Sequence, residues 1–467
     1  MLLEFLHLDR NGRDALYLQL YRGIRDAVTG GQLTAGEKMP SIRRLSEDLK
    51  LSKTTVEAAY SQLVMEGYLV SVPQKGCYVA HLSPFSHQNP NENIGTVPQS
   101  APAALRYRFS TDAVDPNAVP VALWQKHLRT ALARTDVVTS YGNGPGEDEL
   151  RSALAEYAYR VRGVRAHPSR IVVGAGLQSL LYLLSGILRE RSRLIGLETP
   201  GFAQAERVFA DCGLAVCQLT CDESGLCPDA PVDAGIRTVY LMPSGRPGSG
   251  APMPMPRRTA LLEWAKNTGG LIIEDDHNGE LRYHGRPVPA LQGFDDGNHV
   301  IYIGTFSKVL LPSVRLAYMV LPPALAQQYY ARAQWYHPTA SRIEQLALAE
   351  YIRRGDMDRQ LRRLRKIYAA KGDLLLQLLR ETFGDHVALV LKETALRVLL
   401  TLPGPMTAQQ RADAAALRGV EVRPAPAYPG DRRILLGFSG IVYDDIAPAV
   451  HRLALAWPDV VVHTQTN

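Results

Sequence analysis

Over the first 80 residues the apolar positions recur at helical spacing and then alternate. In "LYLQLYRGIRDAVTGG" (16–31), Leu16, Leu20, Ile24 and Val28 share one face, and paired glycines stop the run. "PSIRRLSEDLKLS" (40–52) opens with Pro-Ser, a helix-start signal, and predicts a second helix. Ser52 can cap a third, "KTTVEAAYSQLVMEG" (53–67), whose stripe is Val56, Ala59, Tyr60, Leu63 and Val64 and whose stop is Gly67. "YLVSVPQKGCYVA" (68–80) alternates like two short strands about a Pro-Gln-Lys-Gly turn. Residues 81–105 are rich in Pro, Asn, Ser and Gln without any period, which predicts a flexible linker. From about 106 the pattern becomes strands alternating with helices: "RIVVGAG", "RLIGLETP", "TVYLMP", "GLIIEDD", "VIYIGTFS", "LAYMVLP". Several are continuous apolar runs, as expected of strands buried on both faces of a mostly parallel sheet. Beyond about 350, Arg-rich helices precede "ALRVLLTLP" and "RRILLGFSG", which predicts a smaller α/β subdomain. The fold class is therefore α/β, with boundaries expected at 1–80, 81–105 and 106–467.

A chain of 467 residues is too long for one ordinary core, and 46% hydrophobic with 21% charged residues is the balance of a globular protein. The net charge of +6 permits a nucleic-acid partner without requiring one. No signal-peptide pattern is present, and "SLLYLLSGIL" (179–188) is too short to span a membrane, so a cytoplasmic protein without membrane contact is expected. Cys212, Cys217, Cys221 and Cys227 lie close together but lack C-x-x-C pairs and an intervening His, so no metal site is expected.

Two helices joined by a tight turn and followed by a hairpin follow the winged helix-turn-helix plan. Placement of cations carries this reading better than their number. Arg43 and Arg44 begin one helix, and Lys53, Thr54 and Thr55 form the tip of the next, the part that enters a major groove. Lys75 and Gly76 occupy the wing tip. The segments "MPSIRRLSEDLKLSKTTVEAAYSQLVMEGYLV" and "QKGCYVA" resemble the DNA-binding domain of GntR-type regulators. The resemblance implies that Arg43, Arg44, Ser52, Lys53, Thr54 and Gly76 contact a double-stranded operator. Cys77 departs from the family, which often has Thr there.

The second candidate is Lys308, in "IYIGTFSKVLLPSVRLAYMV" (301–320), just past an apolar strand. A lysine that forms a Schiff base with pyridoxal 5'-phosphate needs a phosphate cup, a carboxylate for the pyridine nitrogen, a polar group near the phenolic oxygen and an aromatic ring over the cofactor. "VVGAGLQS" (172–179) offers a cup from the amides of Gly176, Leu177 and Gln178 at a helix N-terminus, with Thr305, Ser307 and Arg315 to add to it. "LIIEDDHNGE" (271–280) ends a strand in acids; Asp275 is preferred over Asp276 for the ring nitrogen, and His277 can reach the phenolic oxygen. Phe202, in "ETPGFAQAERVFADCG", can cover the ring.

These residues resemble the fold-type I aminotransferases. Taken with the winged helix and linker, nearly the whole chain resembles the MocR/GabR-type regulators, through "SYGNGPGEDELRSALAEYAYRVRGV", "ETPGF", "IIEDDHNGELRYHGRPVPALQG", "GTFSKVLLPSVRLAYMVLPP" and "LLGFSG". That resemblance implies a seven-stranded sheet and a homodimer with sites at its interface. It makes Lys308 the internal aldimine lysine and Asp275 the partner of the pyridine nitrogen. Tyr141 would reach the phosphate from the second subunit. Arg433 would grip an effector carboxylate, with Arg432 the adjacent alternative. Three departures stand out: His277 where the family has Tyr, "SGRPGSG" (244–250) in place of "HQFP", and Phe202 for the usual Tyr. The function implied is a regulator, not a dedicated enzyme, that senses an amine, an amino acid or the cofactor itself through aldimine chemistry at Lys308. The alternative is an active aminotransferase with an accessory DNA-binding head.

Overall fold

The computed structural model describes residues 8–10, 12, 14–81, 105–110, 113–199, 201–245, 251–277, 279–283, 288–384, 388–391, 396–425 and 432–461. The expected linker, from 82 to 104, and Arg246 with the rest of 246–250 lie outside them. The chain divides into two compact units, Met1–Ser100 and Ala101–Asn467.

The N-terminal unit holds α1 (Leu16–Thr29), α2 (Ile42–Asp48), α3 (Lys53–Met65) and the antiparallel hairpin β1 (Leu69–Val72) and β2 (Gly76–Val79). Helix α2 is shorter than the segment 40–52 suggested, because Ser41 caps it and the chain turns at Lys50, whose φ is +51°. The Ser41 hydroxyl accepts from Arg44 N at 3.2 Å, and Ser52 does the same for Thr55 N at 3.1 Å. Each cap satisfies an amide that the first helical turn leaves without a partner. Leu20, Ile24, Val56, Leu63, Leu69 and Val79 close one small core, and Tyr60 Oη donates to Pro40 O at 3.0 Å, tying α3 to the start of α2.

In the C-terminal unit the strands are β3 (Tyr107–Arg108), β4 (Ile171–Gly174), β5 (Leu194–Thr199), β6 (Ala215–Asp222), β7 (Gly225–Leu226), β8 (Thr238–Leu241), β9 (Leu271–Asp275), β10 (Val300–Thr305) and β11 (Ala317–Val320). The large sheet has the order β4-β11-β10-β9-β8-β5-β6-β7. It is parallel from β6 through β5, β8 and β9 to β10, and antiparallel where β11 joins β10 and β4. Eight strands stand where seven were expected. The extra one, β7, is a two-residue return of β6, made by a turn at Asp222–Gly225 where Gly225 has φ +111°. Strands β4, β8, β9 and β11 are buried at every position, because helices cover both faces.

The chain's last part builds a second sheet from β12 (Ala388–Leu391), β13 (Arg397–Thr401), β15 (Arg423–Pro424) and β16 (Arg433–Gly437), in the order β12-β13-β16-β15, all antiparallel. β14 (Val420–Glu421) pairs in parallel with β3, so the start of the unit is stitched to its end. On the β13–β16 pair, Val398, Leu400, Ile434 and Leu436 enter the core with the long helix Asp356–Phe383. Residue alternation puts Arg397, Leu399, Thr401, Arg433, Leu435 and Gly437 on the other face.

Candidate functional site

The carboxyl ends of β8, β9 and β10 converge, and each delivers a polar group. β9 ends in Asp275, which is fully buried, and Tyr240 at the end of β8 donates its hydroxyl to Asp275 Oδ2. Asp275 Oδ1 has no hydrogen-bond partner among the described residues. Burial pushes the Asp275 carboxyl up to about 7, with Tyr240 opposing and the charge of Asp276 adding to the rise. The next residue is in another state altogether. Asp276 accepts from Arg162 Nε at 2.6 Å and Nη2 at 3.1 Å, from Ser244 Oγ at 2.5 Å and from Tyr302 Oη at 2.8 Å. Burial alone would raise Asp276; the Arg162 charge and these bonds outweigh it and hold the carboxyl below its ordinary value. One acid is therefore locked in a structural pair and its neighbour keeps an open oxygen.

Lys308 lies in the turn at 307–309, three residues past the end of β10 at Thr305, is buried, and its Nζ donates to Ala113 O at 3.3 Å. The same carbonyl accepts from Ser439 Oγ at 2.8 Å. Ser439 O in turn accepts from Asp115 N at 2.8 Å, and Asp115 pairs with the buried Lys371 at 2.6 Å. His277 is half-buried; burial, together with the charges of Lys308 and Arg397 and against that of Asp276, pushes its pKa down to about 4. Its imidazole is neutral at pH 7, so it can accept or donate one hydrogen bond without adding charge.

The anion cup is local. Gly176 has φ +85° and immediately precedes the helix Leu177–Leu188; a Cβ on it would lie 2.6 Å from Arg315 Nη2. The positive φ favours glycine there, and the absence of a Cβ lets the guanidinium lie close against the backbone. Arg315 itself has φ +52° and is exposed, so its charge sits beside the amides of the helix start. Thr305, Ser307, Leu177 and Gln178 are half-buried, and Gln178 Oε1 accepts from Gln204 Nε2 at 3.3 Å. Phe202, the residue before the helix Ala203–Asp211, is half-buried against the core of the large sheet. Tyr141 is exposed and its ring lies 4.9 Å from that of His337. Arg433 opens β16 across from Thr401. Arg432 precedes the strand, is exposed, and donates to Gly404 O at 2.8 Å.

In the N-terminal unit Arg43, Arg44, Ser52, Lys53, Thr54, Lys75 and Gly76 are exposed and Thr55 is half-exposed. Ser52 Oγ also bonds the hydroxyls of Thr54 and Thr55 at 2.8 and 2.7 Å, which organises the tip of α3.

Residues 16–79 match the family "Bacterial regulatory proteins, gntR family", and residues 109–440 match "Aminotransferase class I and II". The HTH-type transcriptional regulator YdeL of Bacillus subtilis is 35% identical over 95% of this chain and 96% of its own length. The chain belongs to the MocR-type regulators of the GntR family. It is also 32% identical to the pyridoxine biosynthesis transcriptional regulator PdxR of Corynebacterium glutamicum, over 79% of this chain and 78% of PdxR. Among solved structures, the α-aminoadipate aminotransferase LysN of Thermus thermophilus, complexed with N-(5'-phosphopyridoxyl)-L-leucine, superposes with a TM-score of 0.67. It is 25% identical and covers 76% of this chain and 92% of LysN. This MocR-type regulator thus couples a DNA-binding winged helix to an aminotransferase-like unit, and no described helix is long and apolar enough to cross a membrane.

Four participants escape a reading of the sequence: Tyr240, Arg162, the Ala113 carbonyl and Arg397. Tyr240 leaves a trace, being a polar-tipped residue inside the apolar run "TVYLMP" beside an acid-ended strand. Arg162 lies 114 residues from Asp276, and no local spacing announces such a pair.

Proposed function

We propose that this regulator responds to pyridoxal phosphate held against Lys308, and that a small amine or amino acid then competes with that lysine. The observation that carries the reading is the open Asp275 Oδ1, fully buried at the end of β9 and two residues before His277, which the charge of Lys308 reaches. A buried carboxylate oxygen without a partner is costly, and a protonated ring nitrogen would satisfy it. The Gly176–Arg315 cup suits a phosphate dianion, and Lys308 supplies the amine. The residues therefore fit the cofactor. When bound, pyridoxal phosphate supplies an aldehyde that condenses with amines and a ring that withdraws electrons.

The chain's own groups do the rest. Tyr240 orients Asp275, and Asp276 keeps its charge on Arg162, so only one of the adjacent acids faces the ring site. His277, neutral, holds a proton or accepts one near the phenolic oxygen. Lys308, on leaving or regaining its place, breaks or makes its bond to Ala113 O. In a homodimer two winged heads would address two operator half-sites, with Arg43, Arg44 and Lys53 on phosphates and bases. Intact Lys308 and Asp275 also support a second reading, residual transamination, which multiple-turnover keto-acid release would reveal.

The test is spectroscopic. Purified chain mixed with pyridoxal phosphate should develop a visible absorption band that Lys308→Ala lacks and that Asp275→Asn weakens. A Lys308→Ala protein with the wild-type spectrum would sink the assignment. A mobility shift on the protein's own upstream DNA, with and without cofactor and amine, reports whether occupancy alters DNA binding.

A further inference from the structure

We propose that Arg10 is a positioning residue for DNA recognition: its guanidinium fixes the turn from which α3 departs. The inference concerns the N-terminal unit alone. It goes beyond the cofactor reading above and rests only on α3 as the helix that reads DNA.

The chain turns from α2 into α3 between Leu49 and Ser52, and Lys50 carries the change of direction. Its φ is +51°, a left-handed conformation that a residue with a Cβ disfavours. Arg10 Nη2 donates to Leu49 O at 3.3 Å and to Lys50 O at 3.1 Å. These two carbonyls flank the Lys50 Cα. The first belongs to the peptide plane on the φ side of that residue, the second to the plane on its ψ side. One nitrogen shared by both oxygens therefore fixes both soft dihedrals of the residue that bends the chain. Leu49 is also the C-cap of α2, where carbonyls lack intrahelical donors and a cation is a favourable partner. Past the turn the direction is committed at once. Leu51 N donates to Ser46 O at 2.9 Å, Leu51 packs against the small core, and Ser52 caps α3. The places of Lys53 and Thr54 thus follow from the conformation of Lys50.

Arg10 is in turn held by α1. Gln19, on that helix, grips the main chain of Asp9 on both sides: Asp9 N donates to Gln19 Oε1 at 2.8 Å, and Gln19 Nε2 donates to Asp9 O at 2.9 Å. The same Nε2 donates to Asp14 O at 2.7 Å, and Asp14 pairs with Arg22 at 2.5 Å. Leu20, the next residue of α1, is fully buried in the core, and Leu8 packs against it. The path from core to turn therefore runs through Gln19, Asp9, Arg10 and Lys50. Arg10 is exposed, which makes a contact with DNA phosphate the rival role. The two roles differ in what they add. A phosphate contact adds affinity on any sequence and steepens the salt dependence, whereas a fixed turn adds affinity only where bases are read.

The experiment uses the full-length chain with the duplex it selects from a random-sequence pool, against random duplex of the same length. Arg10→Ala should lower the ratio of the two affinities by about 5- to 10-fold, with the affinity for random duplex and the salt slope unchanged. Arg10→Lys, whose ammonium can still donate to both carbonyls, should stay within about 3-fold of wild type. Gln19→Ala should lower the ratio as well. Added to Arg10→Ala it should cost no more than about 2-fold further, because the two side chains act in series. Amide exchange gives a second measurement: Leu51 N should exchange faster in Arg10→Ala while the amides of α1 keep their protection. Should Arg10→Ala unfold the unit, Gln19→Ala decides by the same ratio and slope. A salt slope lowered by about 0.9, with both affinities falling together, would make Arg10 a phosphate contact and overturn the proposal. An unchanged ratio, or fully independent losses in the double variant, overturns it too. A wild-type chain that selects no duplex overturns the reading of α3 itself, and this inference with it.

Discussion

The two units keep their charges in opposite ways. In the N-terminal unit Arg43 pairs with Glu47 across one helical turn, with side chains 79% and 65% exposed. In the C-terminal unit Arg162 pairs with Asp276 at 2% and 0%. The first pair holds its guanidinium in water, where an ion pair contributes little and the cation can be handed to a phosphate at small cost. The second would be very costly to separate. A reading head needs charges it can give away; a chemical pocket needs charges whose partners are settled before a ligand arrives.

Breaking that contrast should give its largest effect at Asp276. Asp276→Ala leaves Arg162 buried without its carboxylate and should destabilise the C-terminal unit by about 3–5 kcal/mol, read from its urea transition. Removing Glu47 should shift the urea transition of the N-terminal unit by no more than about 0.5 kcal/mol. The next effect is a pH dependence. Asp275 has a folded pKa raised from 3.8 to about 7, so between those values the folded chain holds a proton that the unfolded chain has lost. Stability of the cofactor-free chain should therefore fall as pH rises through that window and level off above it. Glu280 and Glu274, which burial and the charge of Asp276 raise to about 7, act in the same direction, and His277, lowered to about 4, opposes them below its ordinary value of 6.5. Asp275→Asn should flatten part of the slope in melts recorded from pH 5 to 8, and a slope identical to wild type would count against the buried open carboxyl.

On the other side of the comparison, Lys53→Ala should weaken operator binding by about 1 kcal/mol and lower the slope of log affinity against log salt by about 0.9, as for one lost phosphate contact. Fluorescence anisotropy over a salt series measures both. Ser52→Ala should have the smallest effect, about 0.5–1 kcal/mol in the stability of the N-terminal unit, through loss of the cap on α3. It should weaken DNA binding without changing the salt slope, because a cap organises the tip and adds no charge.

The same contrast explains what the sequence can announce. Lys308 and Asp275 sit at the ends of apolar strands, and a strand end is a local pattern, so the two can be read together from the order of residues alone. The helix caps at Ser41 and Ser52 are legible for the same reason. Arg162 and Tyr240 are not, because their role comes from pairing across sheet and helix, which depends on register and not on neighbours in the chain. The small sheet shows the limit most clearly. "RRILLGFSG" points to Arg432 or Arg433, and the strand does begin at Arg433. Only the pairing of β13 with β16 shows that Arg397, an arginine with no local signal in "ALRVLLTLP", stands opposite Gly437 while Arg433 stands opposite Thr401. The eighth strand escapes for a smaller reason, since two residues are too few to carry any period.

The oxygen of Ala113 has two lone pairs, and both are filled: one by the amine of Lys308, the other by the hydroxyl of Ser439. Ala113 lies near the start of the C-terminal unit, on the stretch that continues covalently from the DNA-reading head. Any reaction that takes the proton donor off that nitrogen leaves one lone pair open on this backbone.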